Sequence, residues 1–133
     1  MSTPIDTNGT PPLLAGKKCE AFVCEGFRFE GEIEETACVT YVKFDGDWTR
    51  LYFEPGVIFW RSDSPMSTQF SDAEHTAAFP NTDVGLFAGV IGQELLDYTI
   101  RPTENGCQVS FVFANGRYIE ITCDGEFTNY NFT

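Results

Sequence analysis

Histidine and the common catalytic motifs are nearly missing from this sequence. Its one histidine is His75, and its five cysteines include no C-x-x-C pair. A structural zinc site needs four ligands at recognisable spacing, and that spacing is absent. The chain also lacks a G-x-S-x-G elbow, a P-loop and a G-x-G-x-x-G turn. The sequence therefore predicts no metal, no cofactor and no catalytic residue of a familiar kind.

Basic residues are scarce as well. The chain holds 8 Lys and Arg against 20 Asp and Glu, which gives a formal net charge of −12. Such a charge repels phosphate backbones and anionic lipid headgroups, so we expect neither nucleic-acid nor membrane binding. The acidity either favours a basic protein partner or serves only to keep the protein dissolved.

Long apolar runs are also absent. No stretch approaches the roughly 18 apolar residues of a membrane helix, and the polar segment 1–9 lacks the apolar centre of a signal peptide. We therefore expect a cytoplasmic protein with reduced thiols. Residues 1–12 contain three prolines among small polar residues, a composition that predicts a disordered tail.

Two segments of the chain match two later ones in the same order. Residues 16–24 align with 92–100, and residues 38–44 align with 107–113. Thiols that align with Leu or Ile behave as small hydrophobes, so the alignment predicts that the cysteines lie in a core. The aligned positions are Cys19 with Leu95, Cys24 with Ile100, and Cys38 with Cys107.

Turn signals place strands in both copies. Asp45-Gly46 separates two apolar runs and predicts a two-residue hairpin, because glycine accepts the positive φ that this turn requires. In the second copy, a three-residue loop ending at Gly116 sets Val109 opposite Ile121. The segment 27–34 alternates strictly, which predicts one strand with a core face and an acidic, solvated face. The predicted core side holds Phe27, Phe29, Gly31 and Ile33; the acidic side holds Arg28, Glu30, Glu32 and Glu34.

The resulting fold class is all-β with one short helix. We expect two tandem pseudo-symmetric antiparallel β units that form a sandwich or a partly open barrel. The single β domain would span 13–133, with copies at about 13–60 and 89–130. A polar linker at about 61–84 joins them, and a capping-box pattern predicts its helix at about 72–79.

One face of the first hairpin is the candidate binding site. If Leu51 and Phe53 point into the core, the alternate residues point away from it. Aromatic residues and arginine dominate binding hot spots, so this face is typical of a contact surface, whether internal, between copies of the chain, or with a partner. The candidate residues are Tyr41, Lys43, Trp48, Arg50, Tyr52 and, from the next strand, Trp60.

Three functional hypotheses remain open. The leading one is a non-enzymatic protein-binding module, of inhibitor or immunity type. Its partner would be another protein, for which a basic protein is one option, or a second copy of the chain. The alternative is a small-molecule binder with an apolar pocket between the copies, rimmed by Trp48, Trp60 and Tyr52. The third is an enzyme without a recognisable motif, for which His75 and the carboxylates are the candidates.

Overall fold

The described part of the chain forms two β-sheets and one short helix. The computed structural model describes residues 5–54, 56–62, 70–71 and 77–133. Within these ranges the elements are β1 (Asp6–Asn8), β2 (Cys19–Phe29), β3 (Glu32–Phe44), β4 (Asp47–Glu54), β5 (Val57–Ser62), β6 (Phe70–Ser71), β7 (Ala77–Phe79), β8 (Asn81–Thr82), α1 (Val84–Ala88), β9 (Leu95–Pro102), β10 (Cys107–Phe113), β11 (Tyr118–Cys123) and β12 (Thr128–Phe132).

The larger sheet is built around a four-strand antiparallel meander. Its order is β1-β5-β4-β3-β2-β7-β6, and β8 also pairs with β2. Asp45 and Gly46 have φ values of 48° and 87°, so the predicted two-residue turn between β3 and β4 is confirmed. It sets Lys43 opposite Trp48 and Tyr41 opposite Arg50. β1 joins the far edge by pairing in parallel with β5.

The smaller sheet is a second four-strand antiparallel meander, in the order β12-β11-β10-β9. The loop between β10 and β11 contains three residues, because the Phe113 amide donates to the Arg117 carbonyl at 2.9 Å. Val109 lies opposite Ile121 and Cys107 opposite Cys123, as predicted from that loop length. Over the described residues, neither sheet closes into a barrel.

Both sheets contribute to one hydrophobic core. Phe22 of the larger sheet meets Phe111 of the smaller sheet edge to face, with ring centroids 5.0 Å apart. Trp60 packs against Tyr98 at 5.5 Å. Four of the five thiols are buried in this core, which confirms their prediction as small hydrophobes; they belong to Cys19, Cys24, Cys107 and Cys123.

The sheets are joined by a reciprocal set of backbone hydrogen bonds, which we call the seam. It pairs residues 16–19 with residues 92–95 in antiparallel fashion around the Lys18–Glu94 bridge. Its bonds run from Gly16 N to Leu95 O at 2.8 Å, from Gly92 N to Cys19 O at 2.7 Å, from Cys19 N to Gln93 O at 2.9 Å, and from Leu95 N to Lys17 O at 2.8 Å.

Side chains of β3 hold the outer edge of β12, and we call this contact the clasp. The Thr36 hydroxyl accepts from the Tyr130 amide at 3.0 Å and donates to Asn129 Oδ1 at 3.0 Å. The Thr36 amide also donates to Asn129 Oδ1, at 2.9 Å. Glu35 accepts from the Thr128 amide at 3.2 Å. These bonds satisfy amides of an edge strand that have no neighbouring strand to pair with.

The prediction of one continuous strand over 27–34 is wrong. β2 ends at Phe29 and β3 begins at Glu32, with a turn at Glu30-Gly31 whose φ values are 51° and 80°. The exposed fractions of Phe29 (44%) and Ile33 (61%) show that this hairpin extends beyond the core. Alternation with period two does not distinguish one strand from two strands that fold back on each other.

Two other predictions also differ from the structure. Of the predicted helix at 72–79, residues 72–76 lie outside the described residues, and Ala77–Phe79 is the strand β7. The described helix is Val84–Ala88, which begins after Asp83, whose carboxylate accepts from the Leu86 amide at 3.2 Å. The predicted tail is ordered from residue 5, because β1 pairs with β5 and Arg61 binds the Asn8 carbonyl at 3.1 Å.

Candidate functional site

Five of the six candidate residues share the side of the larger sheet that faces away from the core. We call this side the outer face. Cross-strand pairing places Lys43 beside Trp48 and Tyr41 beside Arg50, and Tyr52 lies two residues beyond Arg50 on β4. Residues that lie directly opposite on neighbouring strands point to the same side of a sheet. The outer face therefore contains Tyr41, Lys43, Trp48, Arg50 and Tyr52.

The sixth candidate, Trp60, points the other way. It lies opposite Leu51, its exposed fraction is 2%, and it belongs to the core. The rim predicted for a small-molecule pocket is therefore split, because Trp48 and Tyr52 lie on the outer face and Trp60 lies on the core face. The residues that β5 contributes to the outer face are Phe59, opposite Tyr52, and Arg61, opposite Arg50. Sequence reasoning missed these two, although a two-residue loop at Pro55-Gly56, which the sequence suggests, predicts their side.

Aromatic rings and cations alternate across the outer face. Tyr52 and Phe59 stack with centroids 4.8 Å apart and planes 3° from parallel. The Arg50 guanidinium lies 5.5 Å from the Tyr52 ring, and that of Arg61 lies 5.5 Å from the Phe59 ring. Cation–π contacts of this kind attract the arginine side chains to the ring faces.

Lys43 and Trp48 form the other end of the outer face. The Lys43 ammonium lies 5.9 Å from the Trp48 ring and 3.4 Å from a Glu20 carboxylate oxygen. Between the two ends, Tyr41 is 3% exposed. Tyr41 is therefore a structural residue of this face, and the half-buried Trp48, Arg50, Tyr52, Phe59 and Arg61 carry its accessible surface.

The arginines of the outer face have no described counterion. Arg50 and Arg61 lie directly opposite each other, and like charges in that position repel. The described ion pairs join Lys43 to Glu20 and Arg101 to Glu120, and neither includes these two arginines. Arg61 donates from Nη1 to the Asn8 and Trp60 carbonyls and from Nη2 to Asn8 Oδ1 at 2.7 Å, whereas the buried Arg50 Nε has no acceptor among the described residues.

The chain has no match among known proteins in any of the three comparisons made: no family model, no curated protein and no solved structure matches it.

The candidates for acid–base chemistry do not form a described site. His75, Asp72 and Glu74 lie outside the described residues. In the ranges that the structure covers, no three Asp, Glu, His or Cys side chains lie close enough to hold a metal ion. Burial raises the pKa of the Glu35 carboxyl, but this side chain belongs to the clasp. Burial likewise raises the pKa of the Cys19 and Cys24 thiols to about 12, which keeps them protonated and unreactive.

An open cleft lies at the edge of the smaller sheet. Its volume is about 280 Å³, and it is lined by Pro12, Leu13, Leu14, Ala15, Asp97 and Tyr98. The Tyr98 hydroxyl donates to the Pro12 carbonyl at 2.6 Å, which ties the segment before β2 to β9. Over the described residues, the chain has no helix with the length and apolar character needed to cross a membrane.

Proposed function

We propose that this protein is a non-enzymatic protein-binding module whose outer face recognises an acidic segment of a partner protein. The observation that carries the proposal is the cross-strand pair of Arg50 and Arg61, which has no described carboxylate beside it. The two Nη atoms of a guanidinium fit a carboxylate in two-point geometry, and those of Arg50 make no described hydrogen bond, whereas Arg61 is already held by Asn8. A partner carboxylate would relieve the repulsion between the two arginines.

The stacked Tyr52 and Phe59 rings supply the apolar part of this surface. Aromatic anchors beside arginine are the residue types that contribute most to protein interfaces. The local charge of the outer face differs from that of the whole chain, whose formal net charge is −12. The overall charge disfavours a nucleic acid, and the local charge favours a peptide that combines carboxylates with apolar side chains.

Peptide display tests the proposal directly. Random peptides are selected on the wild-type protein, and the binders are then measured on Arg50→Ala, with Arg117→Ala as the control. Arg117 is an exposed arginine directly after the β10–β11 loop, so its loss changes the net charge equally. We expect selected peptides to be rich in Asp and Glu and to bind Arg50→Ala about 30-fold more weakly, as for an interface hot spot. Peptides without acidic residues, or equal losses in both variants, would refute the proposal.

We further infer that the two meanders are copies of one β unit. The seam supports this, because each of its bonds has a counterpart when every residue is replaced by the one aligned with it in the other copy. The bond from Gly16 N to Leu95 O becomes the bond from Gly92 N to Cys19 O, under the same alignment that the sequence gives. The β2–β3 pairing is shifted after Cys19 and the β9–β10 pairing after Leu95, which are aligned positions. An experimental structure in which the two meanders do not superpose strand for strand would refute this inference.

A further inference from the structure

Among the described strands, none pairs with the outer backbone edge of β9. β9 is the last strand of the smaller sheet. The Thr103 amide donates to the Gly106 carbonyl at 2.9 Å, which fixes the alternation of hydrogen bonds between β9 and β10. Under that alternation, the peptide groups of Thr99 face β10 and those of Tyr98 and Ile100 face away. Past Leu95, no described strand pairs with this edge.

The corresponding edge of the larger sheet is covered. There, β8 pairs with β2 by setting Thr82 opposite Cys24. The Gly26 amide next to it donates to the Pro80 carbonyl at 2.8 Å. β8 precedes the second meander and covers β2 of the first, so the counterpart that would cover β9 is the strand preceding the first meander. That strand, β1, pairs with β5 instead. An uncovered strand edge is a template for a further strand.

We propose that a second copy of this chain pairs with β9 through its own β9, antiparallel, around a two-fold axis at Thr99. Tyr98 then lies opposite Ile100 of the second copy, and their outward peptide groups form four hydrogen bonds across the axis. The same register sets Asp97 opposite Arg101 of the second copy, twice by symmetry. Opposite charges in facing positions stabilise a strand pair.

A two-fold axis could pass through other residues of β9, and the charges of the strand and Pro102 disfavour those registers. An axis at Asp97 would set Asp97 against its own copy. An axis at Arg101 would set two arginines against each other and would use Pro102, which has no amide hydrogen. The axis at Thr99 sets two threonines against each other, a favourable cross-strand pair. Axes at Tyr98 or Ile100 set no like charges opposite each other, but they place a threonine opposite Asp97. The axis at Thr99 is therefore the register that pairs Asp97 with Arg101.

In the single chain, Asp97 serves the edge in a different way. Its carboxylate accepts from the Tyr98 amide at 2.8 Å, which satisfies an outward donor that has no strand beside it. Pairing transfers that amide to a carbonyl of the second copy and frees the carboxylate for Arg101. Arg101 Nε donates to Gln108 Oε1 at 2.7 Å and Nη2 lies 3.9 Å from a Glu120 oxygen, so Nη1 is the group left for Asp97 of the second copy. The cleft beside Asp97 and Tyr98 leaves room at this end of the edge, and the Tyr98 hydroxyl contact with Pro12 involves no backbone group of β9.

A charge exchange tests the proposal. Sedimentation equilibrium from about 1 to 200 μM is measured for wild type, Asp97→Arg, Arg101→Asp and the double variant that carries both changes. We expect a wild-type dimer, at least tenfold weaker association in each single variant because like charges now face each other, and recovery in the double variant. The recovery separates a lost contact from a lost fold, since a folding defect would not be repaired by the exchange.

Two further variants separate this interface from the outer face. Thr99→Arg places like charges on the axis at an exposed position and should also weaken the dimer. Arg50→Ala, which tests the proposed function, should leave the dimer unchanged. A wild-type chain that stays monomeric over the whole concentration range would overturn the proposal. A dimer that is sensitive to Arg50→Ala and insensitive to Asp97→Arg would also overturn it, by placing the contact on the outer face.

Discussion

Replacing Thr36 with valine should weaken the clasp without changing its shape. Valine keeps the branched side chain that suits a strand but removes the hydroxyl. That hydroxyl makes two hydrogen bonds of 3.0 Å, one from the Tyr130 amide and one to Asn129 Oδ1. After the change, the partly buried Tyr130 amide has no described acceptor, whereas Asn129 Oδ1 keeps the bond from the Thr36 amide.

The size of the effect follows from these bonds. Each hydrogen bond contributes about 0.5–1.5 kcal/mol net, and a donor left without a partner costs about 1–3 kcal/mol. Because the Asn129 end is exposed, we expect a loss of about 2 kcal/mol in the free energy of unfolding. For a chain of 133 residues this corresponds to a melting temperature lower by roughly 6–10 °C.

Urea titration and thermal melting of the two variants measure this prediction. The control is Thr103→Val, because the side chain of Thr103 makes no hydrogen bond in the described structure, and we expect a change below about 0.5 kcal/mol. A double-mutant cycle of Thr36→Val with Asn129→Ala should give a coupling of about 1 kcal/mol. Equal stabilities for Thr36→Val and the control would mean that the clasp does not hold the two sheets together.

Three further predictions concern stability and reactivity. Burial raises the pKa of Glu35, so the contribution of Glu35 to stability is present at low pH and is lost as the pH rises above the ordinary pKa of a glutamate. Glu35→Gln keeps an acceptor for the Thr128 amide, so it should be as stable as wild type at about pH 4 and more stable than wild type at about pH 7. A series of melting temperatures with the reverse trend would contradict this. A Cβ at Gly106 would collide with the Cys123 carbonyl, so Gly106→Ala should lower the unfolding free energy by about 3 kcal/mol or more. In the control Gly116→Ala, the added Cβ meets open space and only the φ of +85° is unfavourable, so we expect a loss of about 1 kcal/mol. Burial raises the pKa of the thiols of Cys19, Cys24, Cys38 and Cys107, and the fifth thiol, that of Cys123, is buried. The native protein should therefore react slowly with a disulfide reagent, and all five thiols should react once it is unfolded. A fast-reacting native thiol would refute this.

Local turn chemistry predicted the meanders well. Asp45-Gly46 and the loop ending at Gly116 each determine which residues of the next strand face the core, and both registers agree with the structure. The same reasoning applied to the turn between Glu54 and Val57 would have assigned Trp60 to the core and Arg61 to the outer face. The prediction for Trp60 was therefore wrong because the alternation of sides was not followed through this turn, although the sequence contains the turn signal.

Other features depend on contacts that no local pattern reveals. Glu35 belongs to a run of acidic residues, and its bond to the Thr128 amide joins positions 93 residues apart. The pairing of β1 with β5 sets Asp6 opposite Val57, 51 residues away, and places a three-residue strand within the predicted tail. The helix at Val84–Ala88 had a readable signal, because Asp83 precedes it and Gly89 ends it with a φ of 73°.

The seam also has a consequence for synthesis of the chain on the ribosome. The strands of the first meander pair with near neighbours in sequence and can form once Ser62 has emerged. Their core side, including Phe22 and Trp60, is covered only when residues up to about Ile121 are available. During that interval the nascent chain presents an apolar sheet face to its surroundings, and a ribosome stalled before Leu95 would hold it in that state. Translation speed across the second meander therefore sets how long this face is open to chaperones or to aggregation.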